Sequence, residues 1–302
     1  MTLHPQSVAA LELWSQGPSV TDPGFGADGI AAMRRDALAA AALEEKEPVD
    51  RVEDVDADGV RCRLYMPAGA QETLRRAVLF LHGGGFVFGD VDTHDGQARR
   101  IANRTGSAVL AVDYRRPPEH RFPAAPDDVD TALRWLVAHA TRLGIDPARV
   151  VALGDSAGGN LALVAALRNP VVLAATVLVY PFVDASTSMP SYARTDGGLT
   201  RAQGEWFFRQ YARDERDLAD PHLAPFLATG FATLPPTYLQ VAEHDALTDE
   251  DLELARRIGA AGATVETSVY DGVIHGFWRN PQLFDASEVA LADAASFLDR
   301  HV

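Results

Sequence analysis

Cysteine is almost missing from this sequence: Cys62 is the only one among 302 residues. A single thiol excludes an internal disulfide framework, a thiolate zinc site and an iron–sulfur cluster built by one chain. Positive charge is scarce as well, with 27 basic against 42 acidic side chains and a formal net charge of −15. Such a chain has no basic stripe with which to neutralise phosphates, and its field repels polyanions and anionic lipid surfaces alike. Nucleic acid and membranes are therefore not expected as partners, and a small neutral molecule is favoured as substrate. Long apolar runs are absent too. The longest, Val171 to Val183, is interrupted by Thr176 and Pro181 and is too short to span a bilayer. Met1 to Gly17 has neither a basic leader nor a sustained apolar core and carries Pro5, so it does not read as a signal peptide and a cytoplasmic location is expected.

What is present has the proportions of an ordinary globular protein, 47% hydrophobic and 23% charged, and the length suits one large α/β domain or two small ones. From Asp50 onward strand and helix signals alternate, the pattern of βαβ units and a mainly parallel sheet. Two opening strands, Arg51 to Asp54 and Arg61 to Met66, flank the turn signal Ala57-Asp58-Gly59 and predict an antiparallel pair at one edge. Six later segments, at Ala77–Leu81, Ala108–Val112, Val150–Leu153, Ala174–Tyr180, Tyr238–Ala242 and Val265–Tyr270, are short and mostly apolar, as strands covered on both faces must be. Two regions break the alternation: residues 1–47, helical in character, and residues 184–220, where a polar loop leads into Trp206, Phe207, Phe208 and Tyr211. Both are expected to cap a catalytic domain of residues 48–302 at the sheet's C-terminal edge, where open α/β sheets bind ligands.

Two motifs carry the chemistry. Gly154-Asp155-Ser156-Ala157-Gly158 follows one of these strands directly and opens a helix. This is the setting of a nucleophile elbow, in which glycines relieve crowding at a sharp turn and expose the serine hydroxyl. With this glycine and serine content the pattern arises by chance roughly 0.07 times per chain. The second motif, His82-Gly83-Gly84-Gly85-Phe86, would arise roughly 0.005 times. Consecutive glycines let backbone N–H groups turn toward a ligand, as a tetrahedral oxyanion requires. A phosphate-binding reading lacks the G-x-x-x-x-G-K-[ST] pattern.

A serine nucleophile needs a base, and the base an orienting acid, in the chain order serine, acid, histidine. His275 follows the last strand, in Gly272-Val273-Ile274-His275-Gly276-Phe277. For the acid, Glu243, Asp245 and Asp249 compete. A strand ending at Ala242 leaves Glu243 too close to the sheet to turn, and Asp249 at a helix start would cap backbone N–H groups. Asp245 remains, on a loop that faces His275.

These segments, with Asp113-Tyr114-Arg115, Pro118-Glu119-His120 and Asp245 through Glu250, resemble the bacterial hormone-sensitive-lipase family of α/β hydrolases, the family IV carboxylesterases. The resemblance covers about residues 50 to 302. It implies the α/β-hydrolase fold with a helical cap, and a carboxylesterase that uses no cofactor and no metal and prefers short to medium acyl chains. It makes Ser156 the nucleophile, His275 the base and Asp245 the acid, with the N–H groups of Gly84, Gly85 and Ala157 as the oxyanion hole. By analogy it also admits a homodimer through the edge of the last strand. Ala246 stands where the family usually has proline, and Arg116-Pro117 replaces the usual Leu-Ala. A receptor on the same fold is the rival from another class, but all three triad candidates are present. A peptidase, an amidase and a true lipase remain as neighbouring activities.

Other residues have plainer readings. The His82 ring is expected to hold the glycine loop while the neighbouring backbone does the chemistry, and His120 with Glu119 is read as structural. Asp155 suits a strained turn and receives no catalytic role. Asp249-Glu250-Asp251 reads as a solvated helix start, and Asp127, Asp128 and Asp130 as an exposed helix face rather than a metal site. Phe25, Phe86, Phe182, Trp206, Phe207 and Phe208 either line an acyl pocket or pack; of these Phe86, Trp206 and Phe207, together with Ile274, are the candidates for the pocket.

Overall fold

The computed structural model describes residues 2–69, 75–194 and 196–302. Helices α1 (Pro5–Trp14) and α2 (Ala27–Leu43) precede eight strands, β1 (Arg51–Ala57), β2 (Val60–Met66), β3 (Arg75–Leu81), β4 (Ala108–Val112), β5 (Ile145–Asp155), β6 (Ala175–Val179), β7 (Thr237–His244) and β8 (Val265–Ile274). Between and after them run α3 (Asp95–Thr105), α4 (Ala124–His139), α5 (Ala157–Arg168), α6 (Arg201–Tyr211), α7 (Thr248–Ala260) and α8 (Ala286–His301). The strands form one sheet in the order β1-β2-β4-β3-β5-β6-β7-β8. β2 pairs antiparallel with β1 and β4, and every later pairing is parallel. The opening hairpin turns at Asp58 and Gly59, both at positive φ, as the Asp-Gly signal demands.

Alternation along β3 divides the core in two. Ala77, Leu79 and Leu81 face α4, α5 and α7 through Leu133, Leu161 and Leu254, whereas Val78 and Phe80 face α3 and α8 through Ile101 and Leu291. A strand period of two thus sends one set of side chains to each helical layer. β8 departs from the expected burial on both faces. It is the outermost strand, and Val269 is 45% exposed on it. It also runs four residues beyond Tyr270, to Ile274, and so delivers the chain directly to His275.

Helices α1 and α2, from the first of the two segments outside the alternation, are tied to the chain at the C-terminal ends of strands. α1 is pinned to the end of β8, where the His4 N–H and Ser7 Oγ both donate to the Gly272 carbonyl, at 2.9 and 2.7 Å. α2 is held by Arg34, which donates to the carbonyls of Val87 (2.8 Å) and Pro117 (2.6 Å) and pairs with Glu119. Glu119 therefore anchors α2, while His120 is exposed. Gly24-Phe25-Gly26-Ala27-Asp28-Gly29 has the spacing of a dinucleotide fingerprint, but it opens α2 ahead of the first strand, outside the βα turn that motif requires. Among the described residues, no helix is long and apolar enough to cross a membrane.

Two acidic clusters differ from expectation. Glu250 and Asp251 in the first turn of α7 are fully buried rather than solvated. Glu250 Oε1 accepts the N–H groups of Val183 (2.9 Å) and Asp184 (3.2 Å), so the helix start is turned inward to brace another loop. Asp128 is likewise buried and holds Arg115 at 2.7 Å, while Asp127 and Asp130 pair with Arg168.

Candidate active site

The C-terminal ends of β3, β5, β7 and β8 each supply one part of the site. After β5 the chain turns sharply at Ser156, held at φ 54° and ψ −118°. That backbone conformation is costly for a residue with a Cβ and is fixed here by neighbours on both sides. The Ser156 N–H donates to the Val179 carbonyl at 2.9 Å, and the Ser156 carbonyl accepts the Phe182 N–H at 3.1 Å. The motif glycines are required by contact: a Cβ on Gly154 would lie 2.2 Å from the Gly158 carbonyl oxygen, and one on Gly158 would lie 1.9 Å from that of Leu81.

His275 and Asp245 complete a hydrogen-bonded line. Ser156 Oγ lies 3.0 Å from His275 Nε2, and His275 Nδ1 lies 2.7 Å from Asp245 Oδ2. Asp245 Oδ1 also accepts the Leu247 N–H at 3.1 Å, and the His275 N–H is fixed on the Gly197 carbonyl at 3.0 Å. With the Asp245 side chain 1% exposed and that of His275 17% exposed, the pair is sheltered and the imidazole edge near Ser156 remains reachable. Burial works to lower the His275 pKa, but the charge and hydrogen bond of Asp245, aided by the charge of Asp155, outweigh it and raise the group above the ordinary 6.5.

The competing acids are otherwise engaged. β7 runs two residues past Ala242, so Glu243 lies within the strand, and its carboxylate accepts the Gly272 N–H at 2.7 Å. Asp249 caps a different segment from the one expected, accepting the Ser191 N–H at 2.8 Å.

The glycine loop after β3 lies against the elbow. The Gly83 N–H donates to Asp155 Oδ1 at 3.0 Å, so Asp155 ties the two motifs together. Gly84 and Gly85 have φ of 118° and 60°, and the Phe207 ring approaches so closely that a Cβ on Gly85 would sit 2.2 Å from it. Among the described residues, the N–H groups of Gly84, Gly85 and Ala157 have no hydrogen-bond acceptor. Gly84 and Gly85 line the same cavity as Ser156, and free backbone donors beside the nucleophile are what a developing oxyanion needs. The His82 ring packs between Tyr114 and His94, with centroids 4.3 and 4.8 Å away. Burial, with the nearby Arg116 charge, pushes its pKa down to about 3, which fits a neutral structural ring.

Ser156, His275, Gly84 and Gly85 open into a cavity of about 430 Å³. Phe207 lines it as expected, together with Trp14 and Leu199 from the two segments outside the alternation. Three expected pocket residues lie elsewhere. Phe86 is fully buried and stacks on Tyr211 at 3.9 Å, Trp206 packs on Phe25 and Phe88, and Ile274 is buried under the loop. Successive residues on a helix point to different sides, so Trp206 turns away where Phe207 points in. Trp14, Tyr180, Gly198, Leu199 and Arg279 were not anticipated. For Arg279 the available signal was its place four residues after His275.

The chain is similar to known hydrolases. A family model described as the alpha/beta hydrolase fold matches residues 78–279. Ethyl acetate hydrolase of Pseudomonas putida is 36% identical over the whole of both chains. The chain belongs to the hormone-sensitive-lipase family of α/β hydrolases. The carboxylesterase NlhH of Mycobacterium tuberculosis is 37% identical across 83% of each chain. Among solved structures, the hyperthermophilic esterase of Pyrobaculum calidifontis superposes with a TM-score of 0.87 at 35% identity, covering 99% of this chain and 98% of that one. In this member the sheet edge brings together motifs that lie up to 193 residues apart, from His82 to His275.

Proposed function

We propose that this carboxylic ester hydrolase works through Ser156 as nucleophile, on small soluble esters with short to medium acyl chains, in the cytoplasm and without a cofactor. The line from Ser156 through His275 to Asp245, at 3.0 and 2.7 Å, carries the reading. Ser156 Oγ attacks the ester carbonyl carbon while His275 Nε2 takes its proton. The carbonyl oxygen becomes an oxyanion facing the N–H groups of Gly84, Gly85 and Ala157. As the intermediate collapses, the bond to the alcohol oxygen breaks, and His275 returns the proton to that oxygen. Water then repeats the sequence on the acyl-Ser156 ester, releasing the acid and restoring the hydroxyl. Asp245 keeps the Nδ1–H tautomer and stabilises the imidazolium formed at each attack.

A site volume of about 430 Å³ is at the smaller end for ligand pockets, and its aromatic wall favours a compact acyl group. The outer edge of β8, unpaired among the described residues, offers a place for a second copy to pair, and sedimentation equilibrium would read the assembly. For the activity itself the test is hydrolysis of a 4-nitrophenyl ester series by the parent and by Ser156→Ala. The variant should lose about a thousandfold or more while folding normally, because it deletes the nucleophile and little packing. Activity within tenfold of the parent would end the serine-esterase reading.

A further inference from the structure

Arg279 lines the catalytic cavity together with Ser156 and His275, yet among the described residues it makes no hydrogen bond and no ion pair. Four other arginines around this end of the sheet are committed, whereas Arg35 and Arg201 stand exposed on the surface. Arg34 is held by carbonyls and Glu119, Arg116 by Asp113, Arg100 by Glu288 and Ser287, and Arg194 by the Glu243 carbonyl. Arg279 is only partly exposed, so a guanidinium with five donors stands at the wall of an open cavity with no acceptor fixed among the described residues. The nearest carboxylate in the cavity wall, Asp155, already takes the Gly83 N–H and does not come within ion-pair distance of Arg279.

The far side of the same residue is also polar. Arg279 and Asn280 form part of the wall of an adjoining cavity of about 740 Å³. There Gln97 is 5% exposed, and among the described residues neither its amide nitrogen nor its amide oxygen has a partner. That second cavity is lined by Glu44, Glu45, Glu47 and Glu288 against Arg100 and Arg279, with Arg100 already paired to Glu288, so its acidic balance disfavours an anion deep inside it and an anionic group is best accommodated at the Arg279 wall.

We propose that Arg279 is a specificity-determining residue that pairs with a carboxylate carried by the ester substrate, on either its acyl or its alcohol portion, so that the preferred substrates are acidic half-esters or acylated hydroxy acids. This rests on the serine-esterase reading and refines its substrate class. The net charge of −15 made a neutral ester the expectation. That charge governs long-range approach, however, whereas a guanidinium in a partly desolvated cavity governs what binds once inside. The reacting carbonyl remains an ordinary uncharged ester.

The experiment compares matched pairs by pH-stat titration. Monomethyl succinate, glutarate and adipate are set against the methyl esters of the corresponding monocarboxylic acids, and acetoxyacetate and 3-acetoxypropanoate against ethyl and propyl acetate. The readout is the ratio of kcat/KM for the anionic over the neutral member, because Arg279 lines the cavity and its loss can move both rates. At least one pair should favour the anion in the parent, with a preference that shrinks as salt is added. Arg279→Gln should lower that ratio about tenfold or more, and Arg279→Lys should restore part of it. A parent that hydrolyses the neutral esters but prefers no anionic one overturns the inference and leaves the esterase reading standing. So does an Arg279→Gln variant that loses equal activity on both members, which would make Arg279 a general stabiliser of the transition state. A parent that cleaves no ester at all refutes the underlying function.

Discussion

Changing Asp245 to asparagine keeps the outline of the side chain and removes only its charge and its second acceptor. In the parent, Oδ1 accepts the Leu247 N–H at 3.1 Å while Oδ2 faces His275 Nδ1 at 2.7 Å, and an amide cannot serve both. If its oxygen stays on the Leu247 N–H, its NH₂ faces Nδ1. The imidazole proton then moves to Nε2, the atom 3.0 Å from Ser156 Oγ that must accept a proton. If the amide flips, the tautomer is kept but two donors meet at Leu247 in a site with 1% exposure, where water cannot relieve the conflict. In either arrangement the imidazolium loses its counter-charge. We expect kcat to fall about a hundredfold to ten-thousandfold, equivalent to about 3 to 5 kcal/mol of transition-state stabilisation. Because Asp245 is what holds the His275 pKa up against burial, the acid limb of any residual activity should also move to lower pH. Steady-state hydrolysis of 4-nitrophenyl butyrate across pH, with circular dichroism to confirm folding, measures both. Glu243→Gln should be far milder, since a glutamine oxygen can still accept the Gly272 N–H, and so should Asp249→Asn and His244→Ala. A crippled Glu243→Gln beside an Asp245→Asn that keeps most of its activity would refute the triad.

Further outcomes follow from the same geometry. Since His275 must be neutral to accept a proton and its pKa is raised above 6.5, kcat/KM should fall in acid with a midpoint above that value; full activity at about pH 5 would exclude a histidine base. Turnover along a 4-nitrophenyl ester series should peak at short or medium acyl chains, because Phe207, Leu199 and Trp14 bound the cavity, and a maximum at palmitate would contradict this wall. Gly158→Ala should lower Tm substantially, because its Cβ would meet the Leu81 carbonyl oxygen at 1.9 Å and a backbone strand cannot yield. Asp251 is fully buried, neither of its carboxyl oxygens has a partner among the described residues, and burial raises its pKa well above 3.8. The native state therefore holds a proton there that the unfolded chain releases, and stability declines as pH rises through the range between the two pKa values. Asp251→Asn should flatten that decline in a plot of Tm against pH, and an unchanged slope would show that Asp251 is not its source.

The parts of the site that sequence made legible are those in which chemistry constrains the backbone. Gly154, Gly158 and the His82–Gly85 loop are forced by close approach and positive φ, so their identities are visible as motifs. Asp245 and His275 fall at strand ends, where spacing alone narrows the choice. The cavity was less legible because packing direction depends on partners far along the chain. Phe86 and Phe207 look alike in sequence, yet Phe86 turns into the core against Tyr211 while Phe207 faces Gly85. Likewise a run of carboxylates at a helix start ordinarily meets water, and only the return of Val183 and Asp184 over α7 explains why Glu250 is inside. Arg279 belongs to no motif. The role proposed for it rests on its having no partner among the described residues, which only the three-dimensional neighbourhood reveals.

Covalent labelling tests the role of Ser156 most directly. Treatment of the full chain with a 4-nitrophenyl phosphonate should release one equivalent of nitrophenol, abolish ester hydrolysis in step with that release, and leave a single adduct that peptide mass spectrometry places on Ser156. The Ser156→Ala protein should take up none. An adduct on another residue, or ester hydrolysis that survives complete labelling of Ser156, would contradict the mechanism.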